Sequence, residues 1–136
     1  MIPEQQDRTE LHLVFVYGTL LQGLSNHTLL AQARFLGQAR TKRSYALYVD
    51  YFPKVIRDEA LSSIVGELYL VDGPTLALLD DLEDHPFEYR REQVVVIMDD
   101  GAETPSWIYF HPRPGGYLVA GGDLRAWLRG QADFSG

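Results

Sequence analysis

The sequence predicts an α+β protein whose mostly mixed or antiparallel β-sheet curls around a central space. Three observations carry this prediction. Five or six segments are rich in β-branched and aromatic residues, two or three short segments have leucines at helical spacing, and the chain has 136 residues. That length suits one hydrophobic core, so we expect a single domain over residues 1–136, with polar residues 1–10 as a flexible leader.

The first elements are a strand and a short helix. Residues 11–17 are rich in β-branched and aromatic side chains and stop at Gly18, which predicts a buried strand that runs into a turn. Apolar residues then recur at helical spacing over residues 29–35 and end at Gly37. We therefore expect a short helix after the turn.

The middle of the chain contains the clearest junction between a strand and a helix. Residues 40–49 mix aromatic, aliphatic and polar side chains, and residues 51–56 contain Pro53, which suits an edge or an irregular strand. Both segments are expected to flank a pocket. Residues 65–70 alternate sides, and Asp72-Gly73-Pro74 then supplies a cap and a proline for the first helical turn. The following leucine-rich helix is expected to continue until Pro86 stops it.

The C-terminal third predicts a pair of neighbouring strands and a last helix. Residues 91–98 are strongly β-branched, and residues 106–110 are a candidate return strand. The connection over residues 99–105 is longer than the tightest hairpin turns. A final short helix is expected to begin near Asp123.

Composition excludes several classes of function. Nineteen acidic residues against twelve basic residues give a net charge of −7, which disfavours a nucleic-acid partner. No apolar segment approaches the roughly 20 residues that cross a bilayer, and the N-terminus is polar, so we expect a cytoplasmic protein without a membrane partner. The absence of cysteine excludes a disulfide, a thiol nucleophile and a thiolate metal site.

One carboxylate on the leucine-rich helix is out of place. On an ideal wheel of roughly 100° per residue, the leucines and the aspartates occupy separate arcs, but Glu83 falls among the leucines, between Leu79 and Leu76. A carboxylate that faces a partly dry cavity has a raised pKa, which suits proton transfer near neutral pH. The ordinary alternative is that Glu83 reaches water or pairs with Arg90 or Arg91.

A second candidate feature is the turn formed by Tyr17, Gly18, Thr19 and Leu20, with Gly23 shortly after it. Glycines let the backbone approach a ligand closely, and free amides in such a turn can face an anion. Neither the dinucleotide-binding glycine pattern nor a phosphate-binding loop is present. Taken alone, the segment also fits an ordinary turn between a strand and a helix.

Five motifs occur in the order and spacing of a known family. They are Tyr17-Gly18-Thr19-Leu20 with Gly23, Phe52-Pro53, Val65-Gly66-Glu67-Leu68-Tyr69, Leu79-Asp80-Asp81-Leu82-Glu83, and Tyr89-Arg90. In these motifs the sequence resembles the γ-glutamylcyclotransferase-like superfamily, in particular the γ-glutamylamine cyclotransferase branch. One departure is Leu21-Gln22, where a lysine or arginine often follows the first motif.

The resemblance implies a small barrel-like sheet with flanking helices, a γ-glutamyl pocket at residues 17–20 and a catalytic glutamate at Glu83. It also implies that the α-amine of a γ-glutamyl substrate attacks its own γ-carbonyl, which forms 5-oxoproline and releases an amine. Tyr89, together with Tyr17 and Tyr109, is a candidate to place a hydroxyl in this pocket, although core packing is the commoner role of tyrosine.

The expected chemistry requires no metal and no organic cofactor. The four histidines, His12, His27, His85 and His111, have no metal-ligand spacing, and no serine-nucleophile motif is present. The expected partner is a small γ-glutamyl compound. The competing hypothesis is a non-catalytic module that binds or senses a small metabolite in the same pocket.

Overall fold

The computed structural model describes residues 10–135, with side chains described through Gln131. The strands are β1 (Leu11–Val16), β2 (Arg34–Thr41), β3 (Ala46–Val49), β4 (Pro53–Ile56), β5 (Val65–Asp72), β6 (Arg90–Met98), β7 (Glu103–Phe110) and β8 (Tyr117–Leu118). The helices are a 3-10 helix (His27–Leu30), α1 (Gly73–Leu82) and α2 (Leu124–Ser135). The predicted flexible leader lies outside the described residues, except for Glu10.

Five strands close into a barrel in the order β1-β5-β2-β6-β7. Four of the five contacts are antiparallel, and the barrel closes through a parallel contact between β1 and β7 at Val14 and Trp107. Strands β4, β3 and β8 extend the sheet beyond β7. The predicted α+β class with a curled, mostly antiparallel sheet is confirmed. Among the described residues, no helix has the length and apolar character needed to cross a membrane.

Strands β1 and β5 approach each other too closely for a side chain at Gly66. A Cβ atom at this position would lie 2.1 Å from the carbonyl oxygen of Val16 and 2.7 Å from the ring of Phe15. Glycine is therefore required where the end of β1 meets β5. This close contact fixes the place where the chain leaves the barrel and enters the turn at residues 17–20.

The helix predicted over residues 29–35 is largely wrong. A 3-10 helix ends at Leu30, and β2 already begins at Arg34. The ring of Phe35 packs on Tyr69 of β5 with centroids 5.4 Å apart, and a bulge follows at Gly37, whose φ is +141°. Pairing with β5 therefore overrides a helical spacing that covers less than two turns.

The hairpin between β6 and β7 is tighter than the sequence predicts. Glu103 pairs with Ile97, and the amide of Met98 donates to the carbonyl of Ala102 at 2.9 Å, so the turn consists of residues 99–101. Gly101 at its end has a φ of +87°. Strand β7 thus begins three residues earlier than expected. Pro105 obscured this part of the strand in the sequence, yet it lies opposite Val95 at an exposed position of the ladder.

Candidate active site

The end of α1 fixes the position of Glu83. The helix stops at Leu82, not at Pro86, and Glu83 is its C-cap residue. Asp84 adopts the left-handed conformation, with a φ of +50°. The Asp84 amide donates to the carbonyl of Asp81 at 3.2 Å, and the His85 amide donates to the carbonyl of Asp80 at 2.9 Å. This pair of bonds is a Schellman motif, which holds Glu83 at the C-cap position.

The apolar face of α1 is narrower than the four leucines suggest. Leu76 and Leu79 are buried, with 6% and 0% of their surface exposed, whereas Leu78 and Leu82 are 50% and 39% exposed. Glu83 lies between Leu76 and Leu79 on the wheel, and its side chain is half-buried. The inward direction predicted for Glu83 therefore matches the two leucines that enter the core.

The helical wheel places Asp80 on the polar side of α1, but in the structure its side chain is bonded to other residues and is not simply solvated. Its carboxylate accepts hydrogen bonds from Nε of Arg91 at 2.8 Å and from the hydroxyl of Tyr109 at 2.7 Å. The Arg91 guanidinium also stacks on Trp107, 4.2 Å from the ring centre. Because Arg91 is engaged with Asp80, the alternative in which it neutralises Glu83 is wrong.

Glu83 opens into a cavity of about 410 Å³, a volume typical of small-molecule sites. The six predicted site residues, Tyr17, Gly18, Thr19, Leu20, Glu83 and Tyr89, all line this cavity. The remaining lining residues are Phe15, Val16, Asn26, Asp50, Tyr51, Phe52, Pro53, Lys54, Leu82, Asp84, Glu88 and Tyr109. The fold thus brings the end of α1 and the turn after β1 to one concave surface.

Burial raises the pKa of Glu83 from 4.5 to about 7. Among the side chains of residues 10–131, none forms an ion pair with this carboxylate. Burial, and then the charge of Glu83, raises the pKa of Tyr17 and of Tyr89, which places both hydroxyls within electrostatic reach of Glu83. The carboxyl group is therefore balanced between its acid and base forms near neutral pH.

Asn26, which also lines the cavity, holds the turn at residues 17–20 through two hydrogen bonds to Thr19. The Asn26 side-chain amide donates to the hydroxyl of Thr19 at 2.9 Å, and its backbone amide donates to the Thr19 carbonyl at 2.9 Å. Asn26 precedes the 3-10 helix, but its side chain makes no capping bond to that helix. The amides of Gly18, Thr19 and Leu20 have no acceptor among the described residues and remain available to a ligand.

Three of the four tyrosines that line the cavity donate their hydroxyl protons to other groups of the protein. The Tyr17 hydroxyl donates to the carbonyl of Tyr109 at 2.7 Å, and that of Tyr89 donates to the carbonyl of Pro53 at 2.9 Å. The Tyr109 hydroxyl donates to Asp80. These residues form the walls of the cavity and hold β4 and β7 in place around Glu83.

Comparison with known proteins places the chain in a family. The sequence profile described as "Gamma-glutamyl cyclotransferase, AIG2-like" matches residues 14–128. The chain belongs to the AIG2-like gamma-glutamyl cyclotransferase family. The matched range contains the end of β1 (residues 14–16), the turn after it, α1, Glu83 and the whole cavity, so the candidate site lies inside the family domain.

Individual relatives agree with this membership. A Methanocaldococcus jannaschii protein with a provisional gamma-glutamylcyclotransferase name is 46% identical over 116 residues, covering 85% of this chain and 97% of the relative. The human gamma-glutamylaminecyclotransferase is 37% identical over 106 residues, covering 68% and 69%. The crystal structure of a mouse AIG2-like protein superposes with a TM-score of 0.70 at 29% identity, covering 74% and 77%. These AIG2-like relatives support a cyclotransferase enzyme in general.

Lys54 is a cavity residue of this AIG2-like protein that the sequence analysis missed. Among the lining residues it is the one cation, and its ammonium lies 2.8 Å from Asp50. Leu21, at the position where a basic residue often follows the first motif, is buried and does not line the cavity. The available signal was that Lys54 directly follows Phe52-Pro53.

Proposed function

We propose that this protein cyclises the γ-glutamyl group of a γ-glutamyl amine or amide to 5-oxoproline and releases the free amine, with Glu83 as the proton-transfer residue. One observation carries the proposal: a carboxyl group with a pKa of about 7 shares a cavity with residues 18–20, whose backbone amides have no acceptor among the described residues. This pairs a general acid–base with donors for a carboxylate or an oxyanion.

In this reaction Glu83 carries one proton from the attacking nitrogen to the leaving nitrogen. The α-amine of the γ-glutamyl group attacks the γ-carbonyl carbon, and the new C–N bond closes a five-membered ring. Ionised Glu83 takes one proton from the attacking nitrogen, and the carbonyl oxygen carries the negative charge. When the bond to the original nitrogen breaks, protonated Glu83 gives that proton to the leaving amine, which restores the carboxylate.

The remaining task of the site is to hold the substrate in a folded conformer. Nucleophile and electrophile belong to one molecule, and well-oriented intramolecular attack reaches effective molarities of about 10⁵–10⁸ M. The amides of Gly18, Thr19 and Leu20 are suited to bind the α-carboxylate or the developing oxyanion. Tyr89 and Tyr17 narrow the space around the reacting atoms.

The pH dependence of kcat/KM follows from the raised pKa of Glu83. A base that accepts a proton must be ionised, so activity on the free enzyme should rise with pH through a limb whose midpoint is about 7. Initial rates over a series of buffers at constant ionic strength measure this midpoint. A limb near pH 4.5, the ordinary value for glutamate, would contradict a buried catalytic carboxyl.

Lys54 is expected to contribute to binding of the substrate's α-carboxylate, because it is the cation of the cavity wall. Lys54→Met should raise KM about tenfold with a smaller effect on kcat, since a hydrogen bond to a charged group contributes about 1.5–3 kcal/mol. Lys54→Arg, which keeps the charge, is the matched control. Equal KM values for the Met variant and the wild type would exclude this role.

A substrate panel tests the proposed function directly. Purified protein is incubated with γ-glutamyl amines, including γ-glutamyl-lysine, and with glutathione, and 5-oxoproline is quantified by chromatography. Release from any member of the panel supports the cyclotransferase. Saturable binding without product across the panel would instead favour the metabolite-binding module, and neither binding nor product would reject both.

A further inference from the structure

Both ends of the turn after β1 (residues 17–22, called the substrate turn below) meet at one buried residue, Glu67 on β5. At the start of the turn, Val16 is the ladder partner of Glu67. At its end, the amide of Gln22 donates to Oε1 of Glu67 at 3.0 Å. Glu67 is 1% exposed. Residues 17–21 therefore form a loop that leaves and returns to the same residue.

Arg125 on α2 completes this arrangement from the far end of the chain. Its guanidinium donates to Oε2 of Glu67 at 3.0 Å and to the carbonyl of Gln22. The hydroxyl of Tyr69 donates to Oε1 of Glu67 at 3.1 Å. Three donors thus satisfy the buried carboxylate, and both backbone polar groups of Gln22 are bound.

A buried charge pair of this kind contributes little to stability, because desolvation offsets much of the attraction. It does impose geometry, since each partner must lie where the other can reach it. Here the group that is placed is the backbone of Gln22, two residues after Leu20, which lines the cavity. The direction of the unpaired amides therefore depends on the Glu67–Arg125 pair.

We propose that Glu67 and Arg125 are positioning residues that set the shape of the substrate turn. Neither residue lines the cavity, so they act through the backbone of residues 17–22 and not by touching the substrate. Helix α2 thereby takes part in substrate binding although it lies outside the cavity. This inference rests on the proposed function for its kinetic part, while its structural part can be measured without any substrate.

The test compares Glu67→Gln, Arg125→Met and Arg125→Lys with the wild type by two measurements. Amide hydrogen exchange reports the order of residues 17–22, and steady-state kinetics separates KM from kcat. Lys42→Met is the matched control, because it breaks the exposed ion pair with Glu103, whose side chains are both 54% exposed.

We expect Glu67→Gln and Arg125→Met to speed exchange at residues 17–22 at least tenfold and to raise KM about tenfold. The pH midpoint of kcat/KM should stay at the wild-type value, because the surroundings of Glu83 are unchanged. Arg125→Lys should have a KM between those of Arg125→Met and the wild type. Lys42→Met should change neither the amide exchange of residues 17–22 nor the KM. Arg125 is partly exposed, so its Met variant provides the test even if Glu67→Gln does not fold.

Three results would overturn the inference. One is unchanged exchange at residues 17–22 in Arg125→Met, and another is exchange that rises equally throughout the barrel. The third is a KM equal to that of the wild type despite faster local exchange. If the wild type releases no 5-oxoproline, the proposed function fails, and the exchange result alone then decides whether the pair shapes the turn.

Discussion

Replacement of Glu83 by Gln is expected to lower turnover by about 10²–10⁴, the usual contribution of general acid–base catalysis. Glutamine keeps the size of the side chain but neither takes the proton from the attacking amine nor returns it to the leaving nitrogen. Rates of 5-oxoproline release under substrate saturation measure the effect. A fully active Gln variant would remove Glu83 from the mechanism.

The same variant should be more stable than the wild type above neutral pH. The folded pKa of Glu83, about 7, exceeds its ordinary value of 4.5, so the folded state binds the proton more tightly than the unfolded state. The contribution of this bound proton to the free energy of unfolding is fully present below about pH 4.5 and is lost as the pH rises through about 7. At about pH 8 the ionised group therefore costs up to about 3 kcal/mol.

Urea unfolding at about pH 4 and about pH 8 checks this sign. Glu83→Gln should match the wild type at the lower pH and exceed its free energy of unfolding at the higher pH. The comparison also serves as the fold control for the kinetic experiment. A Gln variant that is destabilised equally at both pH values would show that Glu83 stabilises the fold. That result would contradict the prediction that its buried, ionised carboxylate lowers the free energy of unfolding.

Gly66→Ala is expected to cause the largest loss of stability, at least about 3 kcal/mol, which is the upper range of overpacking effects. The new Cβ would lie 2.1 Å from the backbone oxygen of Val16, and a backbone atom cannot rotate away as a side chain does. The clash can be relieved only if β1 moves away from β5. Because Gly66 precedes Glu67, the change should also weaken substrate binding.

Gly130→Ala is the matched control for this prediction. Gly130 lies on α2 at an exposed position, and a Cβ there meets no atom within 4 Å. Alanine in a helix is favoured over glycine by about 1 kcal/mol, so this variant should be slightly more stable than the wild type. Chemical denaturation measures both variants. If Gly66→Ala were as stable as Gly130→Ala, the close contact of β1 and β5 would be wrong.

The sequence predicts well those features whose cause is local. The β-branched run of β6, the Asp72 cap of α1 and the inward direction of Glu83 each follow from neighbouring residues, and the structure reproduces them. The Asp72 carboxylate accepts from the Thr75 amide at 2.8 Å, as a helix cap should.

The features that the sequence does not predict depend on residues far apart in the chain. Asp80 bonds to Arg91 and Tyr109, and Glu67 bonds to Arg125, 58 positions later. No periodicity encodes such pairs, because strand order and barrel closure decide which side chains meet. The first predicted helix failed for the same reason, since pairing with β5 outweighs a short helical pattern.

The most direct test of a shared site for Glu83 and the turn is a carboxyl ¹³C NMR titration of selectively labelled protein, with Glu83→Gln to assign the signal. We expect the Glu83 carboxyl to titrate with a midpoint of about 7. Addition of 5-oxoproline should shift this signal together with the amide signals of Thr19 and Leu20. A midpoint near 4.5, with no joint response to 5-oxoproline, would contradict the proposed active site.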